Sequence, residues 1–255
     1  MTASQRSADT LGALSISGDD RVPFLQGQLS CDLRLLEHQA VLDGAWLNPS
    51  GRVITALQVI STGSAIGLFL PNELVDSVAE RLTKFRFRAR VDIDASVGWQ
   101  AGFDIDRPFA ERRLAGSDRP EAFGDQPPAD PAAWRLARLR AGHAWIGLEA
   151  TEQYTAHQLN LDRLGAISFD KGCYSGQEIV ARTEHRGKVK RRLIHLVGAN
   201  EAIEHGAAVT GADGAKLGTV VDAVASDSSA EVLALLPIEI AGELLCNGSE
   251  LQRVP

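Results

Sequence analysis

The chain switches between strand-like and helix-like spacing of its apolar residues. Residues 11–17 read as a short strand, and residues 21–30 put Phe24, Leu25 and Leu29 on one side of a helix. Two β-branched apolar runs, Val53–Ile60 and Ala65–Leu70, flank Ser61-Thr62-Gly63-Ser64 and predict a hairpin. Pro71-Asn72 opens a helix that continues to about Phe85, with Leu74, Val75, Val78 and Leu82 at helical spacing. From Lys84 to Val91, basic and apolar residues alternate. That period predicts a half-buried strand with Phe85 and Phe87 in the core and Arg86, Arg88 and Arg90 outside. Four prolines and two glycines mark 115–131 as a loop or linker, and Ala133–Arg140 reads as a short helix ended by Gly142. Leu193–Val197, Ala207–Thr210, Lys216–Ala225 and Val232–Pro237 are short β-rich runs, with Asp213-Gly214 as a turn, and predict a small closed or sandwiched β domain.

One segment combines local structure with chemistry: Lys171-Gly172-Cys173-Tyr174-Ser175-Gly176-Gln177-Glu178. Ser175 and Glu178 have capping-box spacing, and Tyr174 and Ile179 that of a hydrophobic staple. A helix starting there would set Cys173 two residues outside its positive end, with Lys171 adding a cation. On this reading Cys173 is a nucleophile or a soft-metal ligand. The alternative is a small buried hydrophobe inside an ordinary cap.

The motif K-G-C-Y-x-G-Q-E-x-x-x-R, completed by Arg182, resembles the signature of the YgfZ family of folate-binding, iron–sulfur-related proteins, built on the fold of the glycine-cleavage aminomethyltransferase (T protein). Ile16-Ser17-Gly18-Asp19, Phe24–Asp32, Leu47–Arg52, Leu82–Arg88 and Leu159–Gly165 resemble further blocks of that family. Two places depart from it: Ala156-His157-Gln158 stands where the family usually shows P-Q-[EM], and Gly142-His143-Ala144 where it shows G-I-P. The resemblance implies an α+β fold of three small domains with a C-terminal β-barrel-like domain. Its parts would be residues 1–52 and 132–187 as a split folate-binding domain, 53–114 as a βαβ-like insert, 115–131 as linker and 188–255 as the β domain. It also implies a tetrahydrofolate ligand, or a one-carbon derivative, and support of iron–sulfur cluster assembly or repair, and thereby of tRNA-modifying iron–sulfur enzymes. The implied partners are iron–sulfur enzymes or assembly proteins.

A folate needs hydrogen bonds to its ring edge, an apolar slot, and cations for its glutamyl carboxylates. With Cys173 and Lys171 as the reactive pair, the resemblance nominates Gln26, Gln28, Asp32, Asn160, Tyr174, Gln177, Glu178, Arg182, Arg186 and Lys188 for the ligand. On residue type alone, Gln26 and Gln28 read equally as solvated helix residues and Asn160 as a turn cap. A second function class stays open, a folate-dependent aminomethyl or methyl transferase with Asp32 managing protons. The expectation leans towards no independent turnover.

Composition narrows the choice. The chain of 255 residues is 44% hydrophobic and 23% charged, as in ordinary globular proteins. No apolar run approaches the roughly 20 residues that span a bilayer, and the opening residues lack a secretory apolar core, so the expected location is the cytoplasm. Cys31, Cys173 and Cys246 are too few and too dispersed for a disulfide framework or a self-contained cluster, which usually takes about four thiolates. The six histidines show no zinc spacing, so no metal site is expected. The net charge of −7 resides in residues 199–255, whereas Arg182, Arg186, Lys188, Lys190, Arg191 and Arg192 cluster against Glu184 alone. That cluster reads either as an anion site or as a solvated helix end. The inward placement expected of Phe85 and Phe87 argues against direct nucleic-acid stacking.

Overall fold

The computed structural model describes residues 10–199, 202–225 and 229–254, so the opening residues 1–9 lie outside it. The chain folds as a mixed α/β protein of two open sheets and a closed barrel. Strands β1 (Leu11–Ser17), β2 (Val41–Leu47), β3 (Val53–Ser61), β4 (Ala65–Pro71) and β5 (Asp92–Asp94) form the first sheet in the order β2-β3-β4-β1-β5, with every pairing antiparallel. Helix α1 (Arg21–Gln26) and helix α2 (Val75–Lys84) cover one face, burying Phe24, Leu25, Val75, Val78 and Leu82 against Leu14, Ile16 and Leu68. Here the expected strand, hairpin and helix all form.

Residues 85–91 do not form the expected strand. Arg90 is tied to the start of α1: its N–H donates to Asp20 Oδ2 at 2.8 Å, and its carbonyl accepts from the Asp20 N–H at 3.3 Å. The segment loops around this anchor, with Phe87 in the left-handed region at φ 42°. Phe85 is 44% and Phe87 88% exposed, so the inward phenylalanines expected from the alternation face outward.

Two proposed divisions also fall inside ordered structure. Strands β2 and β3 make one hairpin across position 52. Residues 120–124, within the expected linker, are strand β8, the centre of a second sheet with β6 (Gln100–Gly102) and β7 (Ala110–Arg113). Pro120 begins that strand, where a missing N–H is tolerated, while Glu121, Ala122 and Phe123 are buried.

Helix α3 (Pro131–Arg140) starts at Asp130, whose side chain accepts from the Ala133 N–H. It lies between the second sheet and the barrel. Towards the sheet, Trp134 Nε1 and Arg138 donate to Glu121 at 3.0 and 2.6 Å. Towards the barrel, Arg135 pairs with Asp222, and Arg140 with Glu231, which also bonds His195. Strands β9 (Arg191–Ala199), β10 (Ala208–Thr210), β11 (Lys216–Ala225), β12 (Ser229–Pro237), β13 (Leu244–Cys246) and β14 (Ser249–Arg253) close in the order β10-β11-β12-β9-β14-β13. The small β domain expected from residue 188 onward is this barrel.

A buried ionic cluster joins β2, β7, β8 and α3. Arg112 bridges Asp43 and Glu121, Gln58 donates to Asp43, and His143 lies 3.6 Å from Asp43. Burial lowers His143 to about 4, which leaves it neutral at pH 7. Burial would raise Asp43, but His143 and Arg112 outweigh it and bring the carboxyl to about 2. Both groups bind fewer protons folded than unfolded in these windows, so stability falls with acidification. Denaturant melts should therefore show one loss between about pH 6.5 and 4, from His143, and a second between about pH 4 and 2, from Asp43. A His143→Gln variant should flatten the first stage only; an unchanged first stage contradicts this assignment.

Candidate functional site

The cysteine motif is built differently from the expected capping box. Helix α4 (Gln177–Arg186) begins one residue later, at Gly176, with φ 78° and no side-chain cap. Gly176 is required for two reasons. Its left-handed backbone disfavours other residues, and a Cβ there would lie 2.6 Å from the Asn48 carbonyl. Gly51 in the same Asn48–Arg52 turn closes the contact from the other side, against Ile179. The turn therefore seats on the start of α4, and this contact displaces Ser175 from the capping position. Gln177 instead accepts the Tyr174 N–H at 3.3 Å, and Glu178 pairs with Arg182 in solvent at 3.0 Å.

Cys173 is exposed, whereas Cys31 and Cys246 are buried. Lys171 is not turned to serve Cys173. Its buried ammonium donates to the Leu29 and Cys31 carbonyls, both at 2.7 Å, and stands 5.3 Å from the Tyr174 ring. Burial lowers Lys171 to about 8 and raises the Tyr174 hydroxyl to about 12.

The residues nominated for a folate separate into groups. Gln26 and Asp32 lock together: the Gln26 amide donates to Asp32 at 2.9 Å and accepts the Leu33 N–H. Arg34 grips both Asp32 oxygens and holds that carboxyl well below the usual range. Gln28 Oε1, Tyr174 OH and the nearby Trp46 Nε1 are buried without a partner among the described residues. Asn160 belongs elsewhere. At φ 57° it donates to the Leu193 carbonyl of β9 and accepts from Arg192, which also holds both oxygens of Asp162 at 2.8 Å. His157, Asp162 and Glu184 do approach within 4.8 Å of one another. Arg192 saturates Asp162, however, and His157 bonds Glu184 at 3.0 Å, so this is a salt-bridge network. Arg186 and Lys188 are exposed.

A cavity of about 560 Å³ opens where α3, the following loop and the barrel meet, and none of the nominated residues lines it. Its walls include Glu73, Arg135, Trp145, Leu148, His205 and Asp222. The Arg135 guanidinium lies 4.8 Å from the Trp145 ring and donates through Nη2 to Asp222. Asp222 also accepts the Trp145 N–H at 2.8 Å. The sequence carried a signal for this site: Arg135 sits beside Trp134 in a largely apolar helix, and Trp145 follows the departure at Gly142-His143-Ala144.

No family model matches the chain. It is 28% identical over 222 residues to the tRNA-modifying protein YgfZ of Colwellia psychrerythraea, covering 72% of this chain and 68% of that protein. It is 29% identical over 225 residues to the YgfZ of Vibrio vulnificus, covering 76% and 69%. With the YgfZ of Aliivibrio fischeri it shares 26% over 266 residues, covering 89% and 83%. The chain is a relative of the YgfZ proteins. Its fold is similar to the glycine cleavage system aminomethyltransferase T of Bartonella henselae, with a TM-score of 0.66 at 14% identity over 97% of this chain and 83% of that one. The YgfZ resemblance and the aminomethyltransferase-type fold expected from the motifs therefore hold.

In this YgfZ relative the start of α4 is fixed by glycine contacts. Gly176→Ala should cost about 2 kcal/mol in denaturant melts, from the left-handed backbone and the clash with Asn48. Ser175→Ala should change stability by less than about 0.5 kcal/mol, since Ser175 caps nothing. The reverse ranking would restore the capping box. Alkylation of the native protein at pH 8 should modify Cys173 alone. Burial raises Cys31 to about 12, so both it and Cys246 should label only on unfolding.

Proposed function

We propose that this protein is a tetrahydrofolate-binding, YgfZ-like factor that supports assembly or repair of iron–sulfur clusters in the cytoplasm, and through them the iron–sulfur enzymes that modify tRNA. The observation that carries the reading is the exposed thiol of Cys173 on the K-G-C-Y-S-G-Q-E segment, while the other two cysteines are buried. One thiolate is one ligand, and a cluster usually takes about four. A client or assembly protein must supply the rest, with the cluster as cargo. Arg186 and Lys188, exposed at the end of α4, are available to an acidic partner surface.

The cavity suits a folate in size, since small-ligand sites run from about 300 to 1,000 Å³. The Trp145 ring and Leu148 offer an apolar wall, and Arg135 and the surrounding carboxylates offer hydrogen bonds. When bound, the folate would supply one-carbon or redox chemistry, while the protein orients it and shields it from water. Aminomethyl transfer as the main activity is disfavoured by Asp32. Arg34 stabilises its ionised form, which makes it a weak base.

Calorimetry should show saturable one-site binding of tetrahydrofolate, and no heat at millimolar ligand would remove the folate reading. In cells lacking the gene, the wild-type copy should restore iron–sulfur enzyme activity and Cys173→Ala should not, although it folds and binds folate. Full rescue by Cys173→Ala would make the cysteine structural. Release of ammonia and methylene-tetrahydrofolate from an aminomethyl-lipoyl carrier would promote the transferase alternative.

A further inference from the structure

The Arg135 side chain is 8% exposed, and its partner Asp222 is 5% exposed. One guanidinium nitrogen donates to Asp222, but Nε and Nη1 have no partner among the described residues, and Arg135 lines the cavity. Buried donors are costly when unpaired and are almost always satisfied by protein, water or ligand. Charge decides what kind of acceptor suits them. Asp222 already balances Arg135, so the buried pair is neutral. Glu73, Glu149 and Glu204 add negative charge around it, against His205 alone. An incoming carboxylate or phosphate would meet like charges with no surplus cation to receive it. A neutral carbonyl or ring nitrogen meets no such penalty. The carboxylates favour N–H and NH2 groups on the ligand's other side: Glu149 is largely exposed beside His205, and Glu73 is fixed by the Leu148 N–H at 3.0 Å.

We infer that this cavity binds a neutral fused-ring lactam, a 2-amino-4-oxopyrimidine of the pterin or guanine type, with its carbonyl edge on Arg135 and its amino edge towards the carboxylates. Arginine donating to a carbonyl oxygen and adjacent ring nitrogen is the commonest specific contact to guanine, and a pterin presents a related edge. The inference deepens the folate reading, on which it rests for the pterin case, by placing the ring and not the glutamyl tail in the cavity.

Calorimetry on the full chain would use four probes: tetrahydrofolate, 6-methyltetrahydropterin, guanosine and p-aminobenzoylglutamate, the last being the tail without the ring. Two variants would be compared. Arg135→Gln/Asp222→Asn keeps the pair neutral and preserves an acceptor for the Trp145 N–H. Ala223→Phe fills the cavity and leaves the pair intact, so it decides the matter if the double variant does not fold. At least one ring probe should bind the wild type and weaken roughly tenfold or more in both folded variants, with no binding of p-aminobenzoylglutamate. Arg135-dependent binding of p-aminobenzoylglutamate, ring binding unchanged in the variants, or no ring binding at all would overturn the inference. Guanosine binding without tetrahydrofolate binding would keep the ring site and remove the folate reading. Tetrahydrofolate binding indifferent to both variants would do the opposite.

Discussion

Helix α3 is held by charge on both sides, and the arrangement of sheet, barrel and cavity depends on that. One side gives Trp134 and Arg138 to the buried Glu121 of β8; the other gives Arg135 and Arg140 to Asp222 and Glu231 of the barrel. Pairs this buried add little net stability over an apolar core, but breaking one strands a charge. Their contribution is to fix position. An apolar helix could slide or rotate between sheet and barrel at small cost, whereas four guanidinium and indole contacts define one register. The cavity is a by-product of that register, formed where the loop after α3 leaves the helix and Trp145 folds back over Arg135.

The α4 junction works by close approach. Gly51 and Gly176 let the Asn48–Arg52 turn press on the first residues of the helix, and Glu152 ties the turn down by accepting from Asn48 at 2.6 Å and from Arg81 at 2.7 Å. Cys173 precedes this junction on a segment whose next inward residues, Lys171 and Tyr174, are anchored. The thiol is thus exposed on a rigid base, as suits a group that must meet a partner.

Much of this was legible in the sequence, for identifiable reasons. The β1 strand, the β3–β4 hairpin, α2 and the barrel strands have strong apolar periodicity bounded by turn residues, and local pattern and tertiary burial agree there. The segment 85–91 has an equally clean alternation, but the Asp20–Arg90 contact overrides it, and Phe85 turns edge-on to Trp46 at 6.2 Å. Strand β8 was hidden by the prolines around it, because its stability comes from Glu121 meeting two arginines distant in sequence. The capping box failed because S-x-x-E spacing carries no information about the Gly51 turn. The cavity was invisible for a similar reason: Arg135 and Asp222 are 87 positions apart, and an arginine in a helix reads as a surface residue until its partner is known.

These observations describe a YgfZ relative with an anchored, exposed cysteine and a separate cavity whose polar groups are incompletely paired. The most direct test of the account is a crystal structure with tetrahydrofolate bound. The account predicts density for the pterin ring in the cavity against Arg135 and Trp145, with Cys173 exposed and unmodified. Ligand density against Gln26, Gln28 and Asp32, with the Arg135 cavity empty, would contradict it.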